Sequence, residues 1–345
     1  MRWAAGTLLV TAICLHRAAA IALQSWLSDS GDGEGSNRFL LVSAPRTSEI
    51  AYVELRKDGS FANMRPQTLI HGGLHHPQGL AVDQRRQILY VTDPDSKRIV
   101  AYQLAVDRGS LRVVGSPVTI SRRAESRWVA VDDAGNVFFS DEPDNMILKV
   151  PAPTLHDGQA GATTPEVVYS GLSLLQVSQP GGIAVDGLHV FWTNKHYGTK
   201  AGTVVKASER AHDSSIKDVS VLAMNAEKSY GICLAMHNIY FTDADTFLYG
   251  VKKSGGRVEQ VSESFVKPRG CAWDGDGTVF VADRGANAVY ALAGDMQELQ
   301  HTSVQKVFHF QDAFGLAVLG RSSALARISS LCLLLVTAAS LAVHW

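Results

Sequence analysis

One short run recurs six times along this chain: Gly79-Leu80-Ala81, Trp128-Val129-Ala130, Gly182-Ile183-Ala184, Gly231-Ile232-Cys233, Gly270-Cys271-Ala272 and Gly315-Leu316-Ala317. Measured from the third residue of each, the steps are 49, 54, 49, 39 and 45 residues. A repeat of that length leaves few architectures open: a propeller, a solenoid or an array. A second run follows the first: Leu89-Tyr90-Val91-Thr92-Asp93, Val137-Phe138-Phe139-Ser140-Asp141, Val190-Phe191-Trp192-Thr193-Asn194, Ile239-Tyr240-Phe241-Thr242-Asp243 and Val279-Phe280-Val281-Ala282-Asp283. Each is aromatic and β-branched and ends in Asp or Asn, so it predicts a strand running into a turn. A third strand-like stretch follows at 98–104, 146–150, 202–207, 247–252 and 287–292. Units made only of strands and turns favour a β-propeller over a helical solenoid.

The two ends complement each other. Residues 38–55 read as second and third strands with no first strand before them. Residues 314–319 supply a first strand with nothing after it. An open ring would leave unpaired strand edges at both termini. The expectation is therefore an all-β, six-bladed β-propeller over 38–320, its sixth blade closed by the N- and C-terminal strands. A chain of 345 residues has room for two domains on length alone, but the repeat assigns most of it to one.

The opening Pro77-Gln78-Gly79-Leu80-Ala81-Val82-Asp83, its counterpart at 180–186 with an extra Gly, and the strand end Phe191-Trp192-Thr193-Asn194 resemble the NHL-repeat and YWTD (LDL-receptor-type) propeller families. The resemblance implies the fold. It implies no single function, because such propellers host binding modules and enzymes alike. Two positions depart from the pattern: Trp128 stands where Gly is usual, and Ala235 where the first-strand Asp is expected.

Residues 1–22 read as a secretory signal peptide, with Arg2, an apolar run and small residues at 18–20 and 20–22. Residues 23–37 are Gly-, Ser- and acid-rich and read as a flexible lead-in. The tail, 321–345, is apolar from Ile328 onward, follows Ser322, Ser323 and Ala324, and carries no basic flank after it. It reads as a GPI-anchor signal or a membrane span, the bland alternative being a tail packed on the protein. These segments imply the secretory pathway, and an extracellular or cell-surface, membrane-anchored protein. Net charge is −1 with no basic run, so no nucleic-acid footprint is implied. A monomer is expected.

Of the four cysteines, Cys14 lies in the signal and Cys332 in the tail. Cys233 and Cys271 fall on first strands of neighbouring blades. Facing surfaces of adjacent blades leave a disulfide conceivable, but packed sheets lie about 10 Å apart and a bridge needs Cα atoms within about 7 Å, so two buried free thiols are the leading expectation.

In a propeller the first strands line a central channel, and the loops leading into them share a face with the turns after the second strands. That face is the expected ligand surface. Gln78, Arg127, Trp128, His196, Tyr197, Tyr230, Arg269, Arg284 and Phe314 arrive there, Arg and aromatic residues being the usual interface anchors. For Trp128 the plain reading is a packing residue. The leading expectation is a non-catalytic propeller that binds a protein or other extracellular macromolecule.

The alternative is a metal-dependent hydrolase or lyase at the channel mouth. No cofactor is expected. Zinc on His75, His76 and His196, or calcium on the Asp and Asn residues that end the second strands, are the alternatives to that. The peptide-amidating lyases among NHL-type enzymes use zinc, but their further ligands have no matching positions here. The senescence-marker/gluconolactonase family needs Asn and Asp facing the channel, where these first strands offer Gly, Ala, Leu, Ile and Val. A residue present in every copy is also what builds a repeat, since Asp accepts backbone N–H bonds in the turn it starts.

Overall fold

The computed structural model describes residues 37–320 apart from 57, 108, 123–124, 153–163, 197–201, 211–217 and 226. The signal segment, all of the lead-in but Asn37, the tail and Tyr197 lie outside the described residues.

Six four-stranded antiparallel sheets are arranged as the repeat predicts. From channel to rim, blade one is Leu80–Asp83, Ile88–Asp93, Arg98–Asp107 and Ser110–Arg122. Blade two is Ser126–Val131, Val137–Asp141, Met146–Val150 and Glu166–Ser170. Blade three is Pro180–Val185, His189–Asn194, Gly202–Ser208 and Ser220–Asn225. Blade four is Ser229–Ala235, Asn238–Asp243, Leu248–Lys252 and Glu259–Ser262, and blade five is Pro268–Trp273, Thr278–Asp283, Ala288–Ala293 and Gln305–His309. The closing blade takes its innermost strand, Leu316–Leu319, from the C-terminal side. Arg38–Ala44, Glu49–Leu55 and Gln67–His71 come from the N-terminal side. Phe39 pairs with Leu319 and Val42 with Leu316, so the two ends of the propeller meet in one antiparallel ladder.

The fourth strand of each blade is what the repeat does not reveal. Gln67–His71 and Glu166–Ser170 lie at the rim with most side chains exposed or half-exposed. They carry neither the apolar run nor the regular turn that marks the inner strands.

The core is divided among six seams, one between each pair of neighbouring blades. Leu89 and Val91 pack toward the closing blade against Phe39 and Leu41, while Tyr90 between them packs toward blade two against Phe139. Side chains alternate across a strand, and both faces of each sheet are covered by a neighbour. The second strands are consequently buried along all or nearly all of their length, as in Asn238–Asp243, instead of alternating apolar with polar.

Near the axis the blades converge. A Cβ on Gly231 would stand 2.0 Å from the Arg269 carbonyl oxygen, and one on Gly315 2.1 Å from that of Gln78. No side chain fits at that distance, which is why the repeat opens on Gly. The same convergence overturns the expectation of free thiols. Cys233 and Cys271 form a disulfide between the inner strands of blades four and five, with Cα atoms 5.6 Å apart. The 10 Å spacing of packed sheets describes their middles, whereas wedge-shaped blades meet far more closely at the channel.

A hydroxyl near the end of the second strand ties one blade to the next. Ser43 Oγ donates to the Gln78 carbonyl at 2.5 Å, Ser140 Oγ to Gly181 at 2.6 Å, Thr193 Oγ1 to Tyr230 at 2.6 Å and Thr242 Oγ1 to Arg269 at 2.7 Å. The same oxygen accepts from its own inner strand: Gly315 N–H donates to Ser43 Oγ and Gly231 N–H to Thr242 Oγ1, both at 2.9 Å. Ser43 and Thr242 thereby each satisfy two backbone groups that would otherwise be buried without a partner.

Candidate functional site

The channel is a cavity of about 240 Å³ walled by four-residue stretches such as Gly79, Leu80, Ala81 and Val82, together with Cys233, Cys271, Trp128 and Trp273. None of the described residues that line it carries an ionisable or amide side chain.

The Asp and Asn residues that end the second strands hold turns. Asp93 accepts from the backbone N–H groups of His75 and His76 and pairs with Arg98 at 3.0 Å. Burial opposes its ionisation, but those amides, Ser96 and Arg98 outweigh burial and hold its pKa below the usual carboxylate value. Asp283 accepts from the N–H groups of Val266, Lys267, Gly285 and Ala286. Asp243 takes those of Asp245 and Phe247, and Asn194 that of Ser178. On the opposite face, Asp83, Asp132, Asp186 and Asp274 do the same for the turns after the first strands.

His75 and His196 are exposed, and His76 Nδ1 lies 3.8 Å from Asp95 Oδ2. Among the described residues no three His, Cys, Asp or Glu side chains gather as a metal-holding group.

The remaining predicted residues converge on the mouth of the channel. Trp128 lies against Phe314 with ring centroids 5.2 Å apart, although Trp128 belongs to blade two and Phe314 leads into the inner strand of the closing blade. Both rings are buried and share a cluster with Ile183 and the half-buried Tyr230. Arg269 lies over the Tyr230 ring, its Cζ 4.4 Å from the centroid, and Lys195 approaches the same ring at 5.6 Å. Arg284 stands 5.9 Å from the Phe314 centroid. Arg127 is half-exposed beside Glu142, 3.6 Å away. Gln78 sits lower, fully buried where the closing blade meets blade one. Its Oε1 and the Trp128 indole N–H have no hydrogen-bond partner among the described residues.

Sequence reasoning does not find four further contributors to this face. Lys195 follows the repeat by one residue and is only 4% exposed; it pairs with Glu142. Burial pushes its pKa down, and the Glu142 carboxylate opposes that shift. Asp312, in the connection to the last strand, accepts from Arg284 Nε at 2.5 Å and from the Arg46 N–H at 2.8 Å. Leu172 and Leu175 are 95% and 91% exposed in the connection that leads into blade three. That connection is held to the Asn145 turn by Gly171 N–H and Gln179 N–H. Connections between blades vary in length and composition, so the repeat carries no signal for them.

No protein-family model and no curated protein sequence matches the chain. Solved structures with the same fold are numerous. A chain from a crystal structure of the nidogen/laminin complex is 16% identical with a TM-score of 0.64, covering 83% of this chain and 100% of its own. A 6-phosphogluconolactonase-like protein from Bacteroides fragilis is 12% identical with a TM-score of 0.56, covering 84% and 99%. TolB from Acinetobacter baumannii is 12% identical with a TM-score of 0.54, covering 83% and 67%. At these identities the likeness is one of fold, and the six-bladed β-propeller is common to binding proteins and enzymes.

Proposed function

We propose that this propeller binds a protein ligand on its loop face without catalysing a reaction. One observation carries the reading. Cations stacked on aromatic rings surround the channel mouth, and bare leucines stand on the same face. Arg and aromatic side chains held by packing are the usual anchors of protein interfaces, and Leu172 and Leu175 are left exposed among the described residues.

The alternative, a metal-dependent hydrolase or lyase at the mouth, finds less support in the donors present. Asp93 and Asp283 are engaged by turn amides, while Glu142 and Asp312 are engaged by Arg and Lys. A carboxylate so engaged is a poor ligand until those partners are displaced.

The nidogen/laminin chain supports the reading to the extent that the same fold serves in a protein complex there. The proposal extends to location: export through residues 1–22 and attachment at the cell surface through 321–345. A disulfide between inner strands suits an oxidising compartment.

The test is capture of the ligand from extracellular material on the immobilised 38–320 propeller, compared with Arg127→Ala and Tyr230→Ala. Loss of capture in both variants is the expected outcome. Unchanged capture would assign the ligand to another face. Metal analysis of the purified protein separates the alternative: a stoichiometric ion whose removal lowers Tm would favour the enzyme. Release by a GPI-specific phospholipase tests the attachment.

A further inference from the structure

The chain leaves the propeller beside its axis, on the face opposite the loops. Leu316–Leu319 is an innermost strand. Just past it, the Gly320 N–H donates to Gln84 Oε1 at 2.9 Å, and Gln84 Nε2 donates to the Val318 carbonyl at 2.6 Å. Gln84 belongs to the turn between the first two strands of blade one, which lies on that opposite face.

The apolar run of the tail starts at Ile328. The stretch from Gly320 to Ile328 reaches at most about 27 Å when fully extended. At ordinary strand spacing the rim lies about 14 Å out from an inner strand, and a strand such as Pro180–Val185 stands about 20 Å tall. A tether running round the rim to the loop face would have to cover both lengths. A propeller held by its tail therefore keeps its loop face away from the bilayer and turns the opposite face toward it.

That opposite face departs from ordinary turn chemistry in two neighbouring blades. In blades one, two and five its inner turns hold no large apolar residue: Gln84-Arg85-Arg86, Asp133-Ala134-Gly135 and Gly275-Asp276-Gly277. In blades three and four they present Leu188, 71% exposed, and Met236, 54% exposed. Met236 does so at φ 47°, in the left-handed region where Gly or Asn is the usual occupant. Arg210 is exposed on the same side of blade three, and Lys206 and Lys253 are half-buried, with Lys206 Nζ 3.4 Å from the Lys253 carbonyl. Among the described residues none of these three cations has a carboxylate within ion-pair distance. The Asp186 carboxylate is taken up by the Leu188 and His189 N–H groups.

Building on the attachment reading, we propose that this face of blades three and four rests on the bilayer that holds the tail. Leu188 and Met236 enter the headgroup region, and Arg210 and Lys253 lie against lipid phosphates. Blades three and four stand across the ring from the exit at Gly320. The tether and the two apolar side chains thus meet the surface on opposite sides of the axis and hold the propeller flat, loop face outward. Two such side chains bind a bilayer weakly by themselves, and the tether supplies the effective concentration that makes the contact persist.

The test uses the full chain with its native attachment, in a Cys332→Ser background, in vesicles of phosphatidylcholine and phosphatidylserine. A polarity-sensitive nitrobenzoxadiazole label is placed at Leu188→Cys, at Met236→Cys or, on the loop face, at Leu172→Cys. The labels at 188 and 236 are expected to shift to the blue and to lose about half of their emission to a quencher carried on the lipid headgroups. The label at 172 should keep the emission of a dye in water. Met236→Ser should reduce the quenching at 188 about twofold and leave Tm unchanged, because the side chain it removes is exposed.

Equal emission at all three positions, quenching at 172 alone, or an unaltered 188 label in Met236→Ser would each overturn the proposal. Any of these in a chain that stays with the vesicles leaves the attachment reading standing. A chain recovered free of membrane would overturn both.

Discussion

The seam between blades four and five and the seam between blade five and the closing blade come from the same repeat and are held by different bonds. At the first, the Gly231 N–H reaches its neighbour through a hydroxyl, donating to Thr242 Oγ1, which donates in turn to the Arg269 carbonyl. The Cys233–Cys271 disulfide lies beside that relay. At the second, Ala282 stands where the hydroxyl should be, and the Gly270 N–H donates directly to the Phe314 carbonyl at 2.9 Å. Further out, Phe61 meets Phe280 edge-on, and Arg38 reaches Asp274 at 3.2 Å. The repeat thus copies the need to satisfy the same backbone groups, but not the means of doing so.

Four measurements would break or sharpen this contrast. Reducing the disulfide, or replacing it with Cys233→Ala and Cys271→Ala, should have the largest effect. The bridge closes a loop of 38 residues in sequence separation, worth roughly 4 kcal/mol by the chain-entropy estimate. A Tm indifferent to reductant would mean that the relay alone secures this seam. Gly231→Ala places a Cβ against the Arg269 carbonyl and should cost about 3 kcal/mol in chemical denaturation. A tolerated alanine would show that the blades can separate near the axis.

Thr242→Val keeps the shape and removes the relay, leaving the Gly231 N–H and the Arg269 carbonyl without their hydroxyl; a loss of about 2 kcal/mol is expected. Ala282→Ser offers the second seam a hydroxyl whose place a direct backbone bond already fills, so a change within about 0.5 kcal/mol is expected. If that variant gained as much as Thr242→Val lost, the two seams would be equivalent after all.

The fold was legible because its signals are local and repeated. Gly79, Gly231 and their counterparts mark the close approach at the axis, and strands buried on both faces appear as unbroken apolar runs such as Ile239-Tyr240-Phe241. Even the closure by chain ends could be read, since 38–55 and 314–319 each lack what the other supplies. The rim strands escaped because a half-exposed strand such as Gln67–His71 has no apolar run to announce it.

The disulfide is hidden from the sequence for a geometric reason: the average spacing of packed sheets does not hold where wedge-shaped blades meet at the channel. The site was legible in part. Arg127, Trp128, Tyr230, Arg269, Arg284 and Phe314 hold fixed offsets from the repeat, so their arrival at one mouth follows from the topology. Lys195 and Asp312, which decide how the charge there is distributed, are set by contacts between blades far apart in sequence, and no local pattern encodes those.

The ladder that joins Arg38–Ala44 to Leu316–Leu319 also governs how the protein can be made. Gly315 and Ser43, bonded across that closure, are separated by 272 positions. At ordinary rates of synthesis the earlier strand leaves the ribosome on the order of tens of seconds before its partner. Through that interval five blades can stack, but the first hairpin waits with a bare inner edge. Until its last strand arrives, that edge presents unpaired N–H and C=O groups on which another chain could pair.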